Sequence, residues 1–213
     1  ARRLRFVSFD RVRSLCTSVG EVCQQCGNEI DQVWVCSVCS RMKVPTRKDY
    51  FSLFALNPTY EVSHEELTKT YDTLLSAATS VSQKQENSET AQQFTEELQN
   101  ALAVLESPLD RAKYLLELQG TQSEVYVPEP EFFSDIANLQ TELQTKSFNK
   151  KTLTDLLNDA SVSTLTYREE IANEFAKEPQ DSAQISLLIG KFEWTLRTIA
   201  QISSLLDDHE GTT

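Results

Sequence analysis

Four cysteines constrain this chain more than any other feature. They stand as Cys23-Gln-Gln-Cys26-Gly27 and Cys36-Ser-Val-Cys39, with nine residues between Cys26 and Cys36. Two Cys-x-x-Cys pairs at this separation form a metal-ribbon pattern. Each pair can wrap a tight turn around one side of a tetrahedral ion, and the intervening loop brings the pairs face to face. Gly27 fits such a turn, which often needs a residue of positive φ just after its second ligand. The spacing points to a structural zinc site with Cys23, Cys26, Cys36 and Cys39 as ligands. Disulfides or four unrelated thiols are the alternatives, and iron would also fit the cage. Four thiolates close the coordination shell, so the expected role is folding, to which such a site can contribute ~10 kcal/mol or more. Cys16 stands outside the spacing and reads as an ordinary thiol. Val33-Trp34-Val35 reads as a short strand, with Trp34 packing over the metal loop.

Beyond the ribbon the pattern is helical. Among 213 residues there are only 5 Gly and 6 Pro, and the polar–apolar stretches are long. The expected fold class is all-α, divided into a basic arm (1–20), the zinc ribbon (21–45), a helical hairpin with an introductory helix (46–120), a linker (121–130) and a three-helix bundle (131–207). The net charge is −12, unevenly spread. Arg2, Arg3, Arg5, Arg11 and Arg13 face one acid, Asp10, over the first fifteen residues, giving that segment +4 and leaving −16 for the rest. A body so acidic repels phosphates, so no nucleic-acid partner is expected. The Arg-rich, acid-poor start resembles part of a mitochondrial transit peptide. Leu4, Phe6, Val7, Phe9 and Val12 interleave with the arginines, so the arm could also lie on a partner or an anionic surface. No apolar run approaches the ~20 residues of a membrane span.

Within 46–120, Tyr50, Phe51, Leu53, Phe54 and Leu56 form an apolar cluster. Ser63-His-Glu-Glu66 is a capping box. The helix that follows carries Leu67, Tyr71, Leu74 and Leu75 on one face. Residues 76–90 are rich in Ser, Thr, Gln and Asn and read as a loop. A second helix carries Phe94, Leu98, Ala101, Leu102 and Leu105. Ser107-Pro108 ends it and opens another, with Pro at the tolerated first turn, running through Leu109, Ala112, Leu115 and Leu116 to Gly120. Pro128 and Pro130 hold the linker extended. Three bundle helices follow, at about 131–145 (Phe132, Phe133, Ile136, Leu139, Leu143), 151–177 (Leu153, Leu156, Leu157, Leu165, Ile171, Phe175) and 181–206 (Ile185, Leu188, Phe192, Leu196, Ile199, Ile202).

This order of parts resembles a known family. A Cys-x-x-Cys ribbon, Asp49-Tyr-Phe-Ser-Leu-Phe-Ala-Leu56, Asn100-Ala-Leu-Ala-Val-Leu-Glu-Ser-Pro-Leu-Asp-Arg-Ala-Lys-Tyr-Leu-Leu-Glu-Leu-Gln-Gly120 and a three-helix bundle look like HscB, the J-domain co-chaperones of iron–sulfur cluster biogenesis. The ribbon makes the chain similar to the mitochondrial branch. The resemblance covers roughly residues 21–206, and Asn100–Gly120 is its most specific part. It implies a J-like domain that stimulates a DnaK-class chaperone's ATPase and a bundle that binds the cluster scaffold protein.

Residue by residue, the functional surfaces depart from that pattern. Counted from Tyr50, the family's His-Pro-Asp tripeptide falls on Thr79, Ser80 and Val81, and His-Pro-Asp occurs nowhere in the chain. The family's preceding helix is basic. Here residues 65–78 hold Glu65, Glu66 and Asp72 against Lys69 alone, so docking on an acidic chaperone surface loses its steering and gains like-charge repulsion. The family's large apolar scaffold-binding residues correspond to Phe132, Phe133 and Ile136, but its interleaved acids appear as Ala137 and Gln140. Two adjacent phenylalanines cannot both face inward, so this pair is either a protein-binding surface or part bundle core.

The expected function is therefore a non-catalytic HscB-like protein that has lost chaperone stimulation and serves as a structural or adaptor subunit of a larger assembly on the matrix side of the mitochondrion. The alternative is a divergent iron–sulfur assembly factor that still holds a client. An enzyme is not expected. His64 and His209 are the only histidines, the first inside the capping box and the second in the acidic tail, and no Gly-rich phosphate loop is present. A redox role for the Cys pairs is the best enzymatic option, but all four thiols are needed to fill one metal shell.

Overall fold

The computed structural model describes residues 21–23, 26–30, 38, 49–82, 88–121, 128–145 and 148–211. The arm, Cys16, Trp34, Cys36, Cys39 and most of the linker lie outside them. Two-residue strands β1 (Glu21–Val22) and β2 (Glu29–Ile30) pair antiparallel, Glu21 opposite Ile30. All other regular structure among the described residues is α-helix, as the sequence pattern requires, and none of these helices is long and apolar enough to cross a membrane. Packing divides the chain into two units, the first ending at Glu106 and the second beginning at Ser107.

In the first unit, α1 (Tyr50–Leu53) is capped by Asp49, whose carboxylate accepts from the Phe51 N–H at 3.1 Å. The turn ends in a residue of positive φ. Leu56 N–H donates to the Phe51 carbonyl at 2.8 Å across Ala55, held at φ +54°. That geometry normally selects glycine. Helix α2 (His64–Ser82) begins as the capping box requires, the Glu66 N–H donating to Ser63 Oγ at 3.3 Å. Helix α3 (Ser88–Glu106) returns along it, and His64 Nδ1 lies 3.2 Å from Glu106 at the far end of the hairpin. Phe51, Phe54, Leu67, Phe94, Leu98 and Leu105 are almost fully buried. At roughly 1.5–3 kcal/mol for each large side chain withdrawn from water, this apolar seam holds the hairpin.

One sequence expectation fails here. Residues 76–90 are not all loop, because α2 continues to Ser82 and α3 starts at Ser88. Leu74 and Ala78 stay on the buried face. Thr79 and Ser80 satisfy their hydroxyls on the carbonyls of Leu75 and Ser76, each at 2.8 Å. Hydroxyl residues can thus remain helical without a solvent or loop partner.

In the second unit, α4 (Pro108–Leu118) starts at Ser107, whose Oγ accepts from the Asp110 N–H at 3.3 Å. It stops at Gly120, φ +80°, with Thr121 N–H donating to Leu116 and Gly120 N–H to Glu117, both at 2.9 Å. In sequence α4 continues the stretch assigned to 46–120, yet it packs against the last two helices. Helix α5 (Pro130–Thr145), α6 (Lys150–Phe175) and α7 (Ser182–Gly211) form the bundle, with α6 and α7 most intimately paired and α5 laid on α7. Leu143, Leu153 and Ile202 make the core of one end, packed with Leu139, Phe148, Leu156, Leu157, Leu205 and Leu206. Leu165, expected on the buried stripe, instead faces solvent with Val162. At 100° per residue it lies about 120° from Leu153.

Candidate functional site

Two of the four expected metal ligands are described. The β1–β2 turn puts Cys23 and Cys26 on one tight bend: Cys23 N–H donates to the Asn28 carbonyl at 2.7 Å and Gly27 N–H donates to the Cys23 carbonyl at 2.8 Å. Gly27 sits at φ +73°, where a side chain would strain the backbone. Cys23 is buried and Cys26 exposed. The Asn28 side-chain amide donates to Cys26 Sγ at 3.4 Å. Two soft donors presented by a turn of this kind fit one edge of a tetrahedral thiolate site. Cys36 and Cys39, the other expected edge, lie outside the described residues.

The positions matching His-Pro-Asp are also placed. Thr79, Ser80 and Val81 form the last full turn of α2. Proline is poorly tolerated inside a helix, so a His-Pro-Asp tripeptide set on these three positions would not keep this helical backbone. Along the same helix Glu65, Glu66, Lys69 and Asp72 are all exposed. Its solvent side is net acidic.

Helix α5 splits its two phenylalanines to either side. Phe132, half-buried, meets the Tyr167 ring edge-on at 6.2 Å, and Lys191 Nζ lies 5.8 Å from its centroid. Lys191 in turn contacts Glu129 at 2.9 Å. Its hydrogen bond holds the Glu129 carboxyl below the usual carboxylate range, and burial pushes the Tyr167 phenol up. Phe133 goes the other way. It stays 41 % exposed and stands edge-on to Trp194 at 5.0 Å. Ile136 is half-buried. The pair therefore divides as its adjacency demands, and only Phe133 offers a largely open ring.

Trp194 and Arg197 belong to this surface, and the sequence reading did not single them out. The Arg197 guanidinium lies 5.0 Å over the Trp194 ring and contacts Glu193 at 2.7 Å. Lys113 of α4 reaches the same carboxylate at 2.8 Å. Burial raises the Glu193 carboxyl, but the Lys113 hydrogen bond and both cations outweigh it and set the group below its ordinary value. Gln140 fixes the neighbouring strip, donating to Thr198 Oγ1 at 3.2 Å and accepting from Gln201 at 3.3 Å. The available signal was an aromatic with an arginine three residues on, both off the apolar stripe of α7.

Comparison with known proteins follows the same lines. No family model matches the chain. A co-chaperone protein HscB homologue of Neisseria meningitidis serogroup C is 27 % identical over 172 residues, covering 74 % of this chain and 98 % of that protein. The crystal structure of human co-chaperone protein HscB superposes with a TM-score of 0.74 at 20 % identity, covering 86 % of this chain and 97 % of that one. Chaperone HscB from Vibrio cholerae gives 0.64 at 20 % identity, covering 75 % and 98 %.

Proposed function

We propose that this chain, of the HscB type in sequence and in fold, is a non-catalytic member of its kind that no longer stimulates a chaperone ATPase and acts as a structural or adaptor subunit of a larger mitochondrial assembly. The observation that carries the reading is the helical turn Thr79–Val81, standing where the family's tripeptide is expected. The acidic face of α2 supports it independently, because an acidic chaperone surface would meet like charge there. The mitochondrial matrix is proposed from the arginine-rich arm and the ribbon-bearing branch that the chain resembles. One structural zinc ion held by Cys23, Cys26, Cys36 and Cys39 is part of the proposal, supported at its first edge by the Cys23–Gly27 turn; when bound it would cross-link the ribbon. The protein-binding surface is assigned to Phe132, Phe133 and Ile136.

A second reading, an iron–sulfur assembly factor that still holds the scaffold or a client, draws on the likeness over 98 % of the Neisseria protein and on the open Phe133 ring. Two measurements separate the readings. The purified chain is added to a cognate DnaK-class chaperone, and ATP turnover is followed; strong stimulation would refute the adaptor role. Gently solubilised mitochondria are then resolved by native electrophoresis. Migration wholly within one large complex, at fixed ratio to its other subunits, is the expected result. A small species exchanging with scaffold-bound pools would favour the assembly factor.

A further inference from the structure

The Phe133 surface has a charge of its own, and that charge selects a partner. The open Phe133 ring stands against Trp194 of α7, which carries Arg197 over its face; Ala137 and Gln140 follow one and two turns on along the same side of α5, where Gln201 meets Gln140. Among the described residues of this strip the carboxylate is that of Glu193, and two cations, Lys113 and Arg197, converge on it. The strip is therefore net positive on a chain of net charge −12. The exposed acids of α5, Glu131, Asp135 and Glu142, lie about half a turn round the helix from Phe133. Glu129 is occupied by Lys191 on the Phe132 side. Arg197 keeps 57 % of its side chain exposed, while Glu193 keeps 24 %. What a ligand meets is an aromatic edge, an indole and a guanidinium, with the counter-charge tucked beneath.

We infer that this surface takes an acidic amphipathic segment of a protein partner, its apolar side against Phe133 and Trp194 and a carboxylate on Arg197. The inference rests on the reading that the α5 surface binds protein and adds the sign of the partner. Arginine already stacked on an aromatic ring is pre-organised for a carboxylate, so little side-chain entropy is lost on engagement. A basic segment would meet Arg197 directly and would have to displace it from Glu193. Aromatic and arginine side chains of this kind are also the usual anchors of protein interfaces.

The test is selection from a library of randomised helical peptides displayed on phage against the intact, folded chain. Unspecific attraction to a chain of net charge −12 enriches basic peptides, so enrichment of Asp and Glu beside an apolar stripe is diagnostic. The expected pool is acidic, and its members lose about tenfold in affinity on Arg197→Gln, the scale of one interfacial charge contact. A basic or unbiased pool, or acidic peptides indifferent to Arg197→Gln, overturns the inference. Phe133→Ala separates the two claims: binding that depends on Phe133 but carries no charge preference refutes the sign alone, whereas peptides that bind Phe133→Ala undiminished refute the surface as well. Circular dichroism of each variant verifies that the helices are intact.

Discussion

Replacing Ser80 with proline tests the feature on which the functional reading turns. Ser80 lies in the last turn of α2, and its hydroxyl donates to the Ser76 carbonyl at 2.8 Å. Proline there removes the backbone N–H that a helix directs to that carbonyl and drives its ring against the same group, a cost of about 3 kcal/mol in a helix interior. Unwinding the turn from Thr79 to Ser82 could shed part of this, so roughly 2–3 kcal/mol is expected. Because the chain has two units, hydrogen exchange of the α2–α3 amides is a cleaner readout than a global melt. At 1.4 kcal/mol per decade the expected loss is about thirty- to a hundredfold in protection across 64–106, with the second unit unaffected. Ser80→Ala is the control and should change protection little, since alanine is the better helix former. Protection unchanged by Ser80→Pro would show that this backbone already follows the turn of a working tripeptide, and the argument for lost stimulation would fall. The triple graft Thr79→His, Ser80→Pro, Val81→Asp extends the test. It should still give weak stimulation of a DnaK-class chaperone, because Glu65, Glu66 and Asp72 remain; full stimulation would show that the acidic helix is no barrier.

Three further outcomes follow from named geometry. Ala55→Gly should stabilise the first unit by roughly 0.5–1 kcal/mol in denaturant unfolding, since a methyl-bearing residue is held at φ +54° and glycine adopts that region without strain. Glu193→Gln should destabilise the second unit at neutral pH, and the gap to the parent should close as pH falls. The carboxyl's folded value is depressed by Lys113 and Arg197 despite the opposing effect of burial, so its stabilisation is present above the unfolded carboxylate value near 4.3 and lost as pH drops through the lower folded one; urea titrations from pH 6 to about 3 give the answer. Elemental analysis of the native chain should find one zinc, reduced or lost in Cys26→Ser and in Cys36→Ser, with the helical circular dichroism of both units largely retained; two reversible disulfides and no metal would revive the redox reading.

What the sequence made legible was whatever burial dictates. Leu143, Leu153 and Ile202, one from each bundle helix, lie on stripes of helical spacing because each stripe must reach the same core, and the caps at Ser63 and Ser107 sit where backbone N–H groups lack partners. Composition near 76–82 resembles a loop, but α2 is carried on by the burial of Leu74 and Ala78, while Thr79 and Ser80 satisfy their hydroxyls on i−4 carbonyls, which leaves no compositional trace. Leu165 was misread because apolar identity does not fix orientation: its position on α6 points outward. The division of Phe132 from Phe133 was readable as a necessity, but not which ring would stay open. Trp194 and Arg197 escaped notice since their meaning depends on α5 crossing α7, a long-range contact.

The fold and the functional surfaces of this chain obey different constraints, which is why one can be retained while the other changes. Truncating a buried residue such as Phe94 or Leu98 would cost about 2–5 kcal/mol, a large part of a domain's total stability. Exchanging exposed groups along α2, such as Glu65, Glu66 and Asp72, costs the fold almost nothing. Such changes act on recognition instead, where one interfacial charge can alter affinity by an order of magnitude. A frame of the HscB type with an acidic α2 and an aromatic, cationic α5–α7 strip is thus physically consistent: the core keeps the helices in place, and the surface charge decides what they meet. If the acidic-peptide preference is observed and the triple graft stimulates only weakly, the two surfaces select partners by opposite signs, α2 presenting acid and the α5–α7 strip presenting base. A chain charged that way would be excluded from an acidic chaperone surface while favouring an acidic partner at its bundle.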